Sequence, residues 1–131
     1  MRVANITKNQ ADEILNRPES HFFDFKSKRI QPAKLSKTLS ALGNAEEGDI
    51  YIGIEDPKAV GVRWDGFSNQ EDANDTIAVL EATFPEGEKF SYRFIRCEAY
   101  PGIVLGCEVL KINIFRKTRK AMFILEKGRR V

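Results

Sequence analysis

The spacing of apolar positions changes several times along the chain, and each change marks an element. Thr7 or Asn9 can cap a short helix that runs to Arg17. Ile14 and Leu15 face inward on it, Asp12 and Glu13 lie in its first turn, and Pro18 closes it. Residues 21–27 then alternate with a period of two. Phe23 and Phe25 fall on one face of this strand, and Phe22, Asp24 and Lys26 fall on the other. Pro32 suits the first turn of a second helix, whose stripe of Leu35, Leu39 and Leu42 continues to about Asn44 and ends near Gly48. The segment "DIYIGIED" reads as one strand with Ile50, Ile52 and Ile54 facing one way, stopped by Pro57. "KAVGVRW" is its short return strand. Residues 70–84 form an acidic helix with Ile77, Leu80 and Phe84 inward, ended by Pro85. Three strands follow in "KFSYRFIRCEAY", "GIVLGCEVLKI" and "AMFILEKG". This order predicts an α+β fold, a mixed and mostly antiparallel sheet with packed helices.

The length of 131 residues fits a single domain spanning 1–131, and 42% hydrophobic residues suffice for its core. No apolar run approaches the roughly 20 residues of a membrane helix. Asp12 and Glu13 stand where a secretion signal needs an apolar segment. The expectation is a cytoplasmic protein without a membrane partner. Cys97 and Cys107 are the only cysteines and His21 the only histidine, which leaves too few ligands for a Cys/His zinc site. Buried free thiols are expected instead.

Charge is unevenly placed. Residues 1–43 carry 8 basic and 4 acidic groups, and residues 111–131 carry 8 and 1, whereas residues 44–88 carry 2 and 12. Cations gathered at the ends of the sequence suggest a surface for a polyanion. Lys28, Arg29, Lys34 and Lys37 form the first group, and Arg116, Lys117, Arg119 and Lys120 the second. Trp64 and Phe67 flank a turn at Asp65 and Gly66; they could stack on bases, but anchoring the turn to the core is the simpler reading.

The stretch "ESHFFDFKSKR" puts Glu19 and Asp24 five residues apart. An odd offset sets them on opposite faces of an ideal strand, so they converge only if the chain bends near Pro18 and Ser20. In the alternative reading Glu19 is held locally and Asp24 pairs with Lys26. The wider pattern resembles the Schlafen-type, AlbA-like family of DNA-binding domains. That family reads E-S-x-x-x-E-F-K, then S-A-x-A-N-x-x-G-G, then a strand ending G-V-D-D before a turn and a glycine. Glu19, Ser20, Asp24, Phe25 and Lys26 fill the first element, with Asp24 replacing the usual Glu. Ser40, Ala41, Asn44 and Gly48 fill the second, with Asp49 where another glycine is usual. Gly53, Ile54, Glu55, Asp56 and Gly61 fill the third. The family usually continues into a further strand about where this chain ends, at "EKGRRV", which reads as a shortened form or the front domain of a longer protein.

The resemblance implies nucleic-acid binding, and in Schlafen relatives metal-dependent endoribonuclease activity on transfer RNA. Carried over by motif, Glu19, Asp24 and Asp56 would hold a divalent Mg or Mn ion, with Lys26 stabilising charge on the phosphate. Two readings stay open: an RNA-cleaving enzyme, and a non-catalytic DNA- or RNA-binding module of a regulator or defence protein. RNA is the favoured partner over DNA. A C-terminal partner domain and a homo-oligomer are further partners to test, and an assembly domain is a third class. Reversing the charges of Arg116, Lys117, Arg119 and Lys120 is expected to weaken binding of all sequences alike and to flatten its salt dependence; an unchanged salt slope in a titration would remove this segment from the interface.

Overall fold

A computed structural model describes residues 3–18, 23–45, 47–57, 59–84 and 90–109. The strand expected in "AMFILEKG" falls outside these residues, as do Glu19 and His21. The described elements run β1 (Val3–Asn5), α1 (Lys8–Leu15), β2 (Phe23–Lys26), α2 (Pro32–Ala45), β3 (Gly48–Ile52), β4 (Ile54–Glu55), β5 (Arg63–Trp64), α3 (Asn74–Thr83), β6 (Phe90–Arg96) and β7 (Ile103–Val109). A short 3-10 turn, Glu71–Ala73, leads into α3. The fold is α+β, as the pattern predicts.

Five strands form one mixed sheet in the order β1-β6-β7-β3-β2. The inner pairs β6–β7 and β7–β3 are antiparallel. The outer pairs β1–β6 and β2–β3 are parallel. β4 and β5 make a separate antiparallel hairpin. The sequence pattern missed β1, because three residues with no strong alternation look like a lead-in to the helix; only pairing with β6 makes them a strand.

The sheet buries a different core on each face. Leu35, Leu39 and Leu42 of α2 pack with Leu80 of α3 against Ile50, Ile52, Phe94 and Leu105. On the opposite face, Ala11 of α1 joins Phe23, Phe25, Ile54, Trp64, Ile95 and Val104. α1 is started by Thr7, whose Oγ1 accepts from the Gln10 amide at 3.1 Å while Gln10 Oε1 accepts from the Thr7 amide at 2.9 Å. This reciprocal pair satisfies two amides that the first helical turn leaves open. Trp64 and Phe67 are buried, and the Trp64 indole donates to the Gly102 carbonyl at 3.3 Å. They anchor the turn between them, as the simpler reading had it.

One expectation fails. Ile54 does not continue the face of Ile50 and Ile52; it belongs to the opposite core. The cause is Gly53, whose φ of 116° turns the chain out of β3 and into the hairpin. A side chain is strained at that angle, so the break is written into the glycine. Gly66 completes the joint, because a Cβ there would lie 2.4 Å from the Ile103 carbonyl oxygen.

Both cysteines are free and buried. Burial, reinforced by the nearby Asp49 and Glu108, pushes the Cys107 thiol up to about 12. No helix among the described residues is long and apolar enough to cross a membrane. Leu39 is fully buried in the middle of the α2 stripe. Leu39→Ala is therefore expected to cost roughly 2–5 kcal/mol in a denaturant titration; a change near zero would contradict this packing.

Candidate nucleic-acid interface

Among the described strands β2 lies at the edge of the sheet, and it displays its two faces differently. Phe23 and Phe25 are buried and meet edge to face, with ring centroids 4.9 Å apart. Both also reach Tyr51 on β3, at 5.7 and 6.5 Å. In the parallel register Asp24 stands beside Ile50 and Lys26 beside Ile52. Asp24 and Lys26 therefore share the α2 face of the sheet, both partly exposed. Their side chains pair at 3.0 Å. The separation of Phe from Asp and Lys expected along this strand is present, and so is the local Asp24–Lys26 pair.

Past β2 the chain makes the turn Ser27–Ile30, closed by the Ile30 amide donating to the Ser27 carbonyl at 3.1 Å. Four ion-pairing groups meet around it. Lys28 Nζ lies 3.2 Å from Asp65 and donates to the Gly66 carbonyl at 3.0 Å. Arg29 Nη1 lies 3.3 Å from Glu55 and 3.8 Å from the second oxygen of Asp65. The Ser27 hydroxyl donates to the same Glu55 oxygen at 2.6 Å. Lys28 is 22% exposed and Arg29 69%, so the first is an interior contact and the second reaches solvent.

α2 follows at once, and Lys34 and Lys37 are exposed on its outer side, three residues apart, while Leu35 and Leu39 point inward. A groove of about 250 Å³ separates the start of α2 from α3; Lys28, Arg29 and Gln31 border it on one side and Asp72 and Asp75 on the other. Potential thus changes sign across the groove. On the opposite face of the sheet, Arg17 is held by Asp49 at 3.1 Å and lies 3.9 Å over the Phe23 ring. Arg17 is ion-paired, as are Lys26, Lys28 and Arg29, whereas Lys34 and Lys37 stand exposed on α2.

The carboxylates divide unexpectedly. Asp56 is exposed beyond β4. Its neighbour Glu55 is the one that meets the β2–α2 turn. Counting in twos from Ile50 could not have found Glu55, because the Gly53 turn resets the parity. The clue available was "FKSKR" itself, since Ser27 and Arg29 needed an acidic partner. Carboxylate oxygens are the right donors for a hard divalent ion. Yet Asp24 is engaged by Lys26, and among the described residues no three acidic, His or Cys side chains group as a metal site. The described residues do not complete such a site; Glu19 lies outside them. Arg116, Lys117, Arg119 and Lys120 lie outside them as well.

A mixed sheet flanked by helices, with a cationic turn and helix beside its edge strand, describes an α+β domain suited to a polyanionic partner. Residues 19–130 match the family described as Schlafen, AlbA_2, and the chain belongs to that family. Membership suggests a nucleic-acid-binding domain. No curated protein matches the sequence. Because the Asp24–Lys26 pair is partly exposed, Lys26→Ala is expected to change stability by less than about 1 kcal/mol; a larger loss in a denaturant titration would make the pair structural rather than a surface feature.

Proposed function

We propose that this is a cytoplasmic nucleic-acid-binding domain that grips the phosphate backbone with Arg29, Lys34 and Lys37, assisted by the basic segment holding Arg116, Lys117, Arg119 and Lys120. One observation carries the reading: the exposed cations of the β2–α2 turn and of α2 follow one another on a continuous piece of chain. Backbone cations position nucleic acid without reading its sequence. RNA is the favoured ligand and DNA the alternative.

A second reading is RNA cleavage. It is favoured by Asp24 and Lys26 being fixed side by side on a strand anchored by Phe23 and Phe25. In that reading Glu19, Asp24 and Asp56 hold a Mg or Mn ion, which would neutralise charge on a phosphate. Lys26 would add a positive charge beside it. Binding alone needs no metal ion at Glu19, Asp24 and Asp56, so the two readings separate experimentally.

The test is binding and cutting of transfer RNA and of single- and double-stranded DNA, with and without Mn²⁺. Lys34→Glu with Lys37→Glu is expected to weaken binding of every sequence and to flatten the salt slope by about two. Full binding by this double variant would reject the α2 surface. Cutting that depends on Mn²⁺ and is lost in Asp24→Asn and Asp56→Asn, with binding kept, would establish the enzyme. A parent that binds but never cuts would leave the binding module.

A further inference from the structure

The cations of the β2–α2 turn are neighbours in sequence but differ in surroundings. Lys28 is mostly enclosed, with its ammonium shared between Asp65 at 3.2 Å and the Gly66 carbonyl at 3.0 Å. The groups it holds are themselves fixed. The Asp65 amide donates to the Gly53 carbonyl at 2.8 Å, and the Gly66 amide donates to the Pro101 carbonyl at 3.0 Å. Gly66 also presses against the backbone of Ile103, closer than any side chain would allow. Lys28 is therefore fastened to a segment that is itself tied by backbone hydrogen bonds and packed closely on Ile103.

Arg29 is built the other way. Its side chain is 69% exposed, yet Nη1 is held by Glu55 and, more distantly, by Asp65. Glu55 is only 19% exposed and is oriented by the Ser27 hydroxyl at 2.6 Å. The Ser27 oxygen in turn accepts from the Arg29 amide at 3.1 Å. Glu55 thus contacts the turn at two points, the Ser27 hydroxyl and the Arg29 guanidinium. A guanidinium has five N–H donors in a rigid fork. Among the described residues its contacts run through Nη1, which leaves the Nε and Nη2 donors for a ligand. A flexible arginine must be ordered before it can clamp a phosphate, and a carboxylate behind it supplies that order in advance.

We propose that Glu55 and Asp65 are positioning residues that hold the Arg29 guanidinium ready for a backbone phosphate, and that Lys28 is a strut between the turn and the β4–β5 hairpin rather than a phosphate contact. The inference rests on the nucleic-acid reading above and assigns it a specific arginine. It has an unusual sign. An acidic residue near a bound phosphate repels it, so removing the acid for electrostatic reasons alone should tighten binding. A positioning carboxylate does the reverse.

The experiment measures binding of labelled transfer RNA and labelled single-stranded DNA over a range of salt for the parent, Arg29→Ala, Glu55→Gln, Asp65→Asn, Lys28→Ala and the Arg29→Ala/Glu55→Gln pair. Gln and Asn keep an acceptor for Ser27 and Lys28, and thermal unfolding checks that each variant is folded. Arg29→Ala is expected to reduce the salt slope by about one. Glu55→Gln is expected to weaken binding roughly three- to tenfold, the scale of ordering one long side chain. Its effect should vanish in the Arg29→Ala background, since the two act as one unit. Lys28→Ala is expected to lower the unfolding temperature and leave the slope unchanged. Tighter binding by Glu55→Gln, or an undiminished Glu55→Gln effect without Arg29, overturns the positioning role. A slope lowered by a full unit in Lys28→Ala overturns the strut. A parent that binds neither nucleic acid overturns the nucleic-acid reading and this inference with it, whereas the other failures leave that reading standing.

Discussion

The turn at Gly53 decides how the molecule is put together. Its amide donates to the Lys26 carbonyl at 2.8 Å, and its carbonyl accepts from the Asp65 amide at 2.8 Å. One residue thereby joins the edge strand, the central sheet and the small hairpin. Its positive φ sends Ile54 to the opposite core and Glu55 to the β2–α2 turn. Without that change of direction β3 would run on as a single strand. Glu55 and Asp65 would then have no reason to meet Arg29. The packing of both faces and the electrostatics of the candidate interface share this one backbone geometry.

The mixture of acid, base and phenylalanine at β2 follows from its position. An edge strand is open along one side, and a charged residue there discourages another strand from adding on. Phe23 and Phe25 secure the strand from the α1 face, while Asp24 and Lys26 occupy the α2 face close to water. Charges that sit half inside a protein need partners, because desolvation penalises a lone charge heavily. Arg17, Lys26 and Lys28 each have an acidic partner within about 3.2 Å. Exposed lysines on α2 need none, since water solvates them. Depth accounts for the partners of Lys26 and Lys28, while Arg29 is held by Glu55 although it is largely exposed.

Much of this was legible beforehand wherever one local rule governed. The period-two alternation placed Phe23 and Phe25 correctly, and the Leu35, Leu39 and Leu42 stripe found the buried side of α2. Pro32, Thr7 and the two free thiols also behaved as their chemistry suggests. β1 was invisible because its strand character comes from a partner some ninety positions away, and no local pattern encodes that. The face of Ile54 was misread because a glycine can be either a strand residue or a corner, and here Gly53 takes the positive φ of a corner. Asp56 was named from the family motif, and Glu55, which the Gly53 corner brings to the β2–α2 turn, was not. Family motifs point to this stretch of chain, but a motif aligns residues along a line. It does not say which of two adjacent carboxylates turns toward the cations.

The strand order carries a consequence for how the chain reaches this state. β3 sits between β2 and β7, and β7 is the last of the described strands. β1 waits for β6 in the same way, with Val3 paired to Phe94. A ribosome releasing this polypeptide therefore exposes α1, β2, α2 and β3 before any antiparallel partner for β3 exists. Among the described strands of the sheet, the parallel β2–β3 pair, joined by α2, is the part that can assemble early. Contacts so distant along the chain slow folding and leave strand edges open in the interval. On β2, outermost among the described strands, the charges of Asp24 and Lys26 disfavour pairing with neighbouring chains in that interval, well before the finished domain has a surface to offer to any ligand.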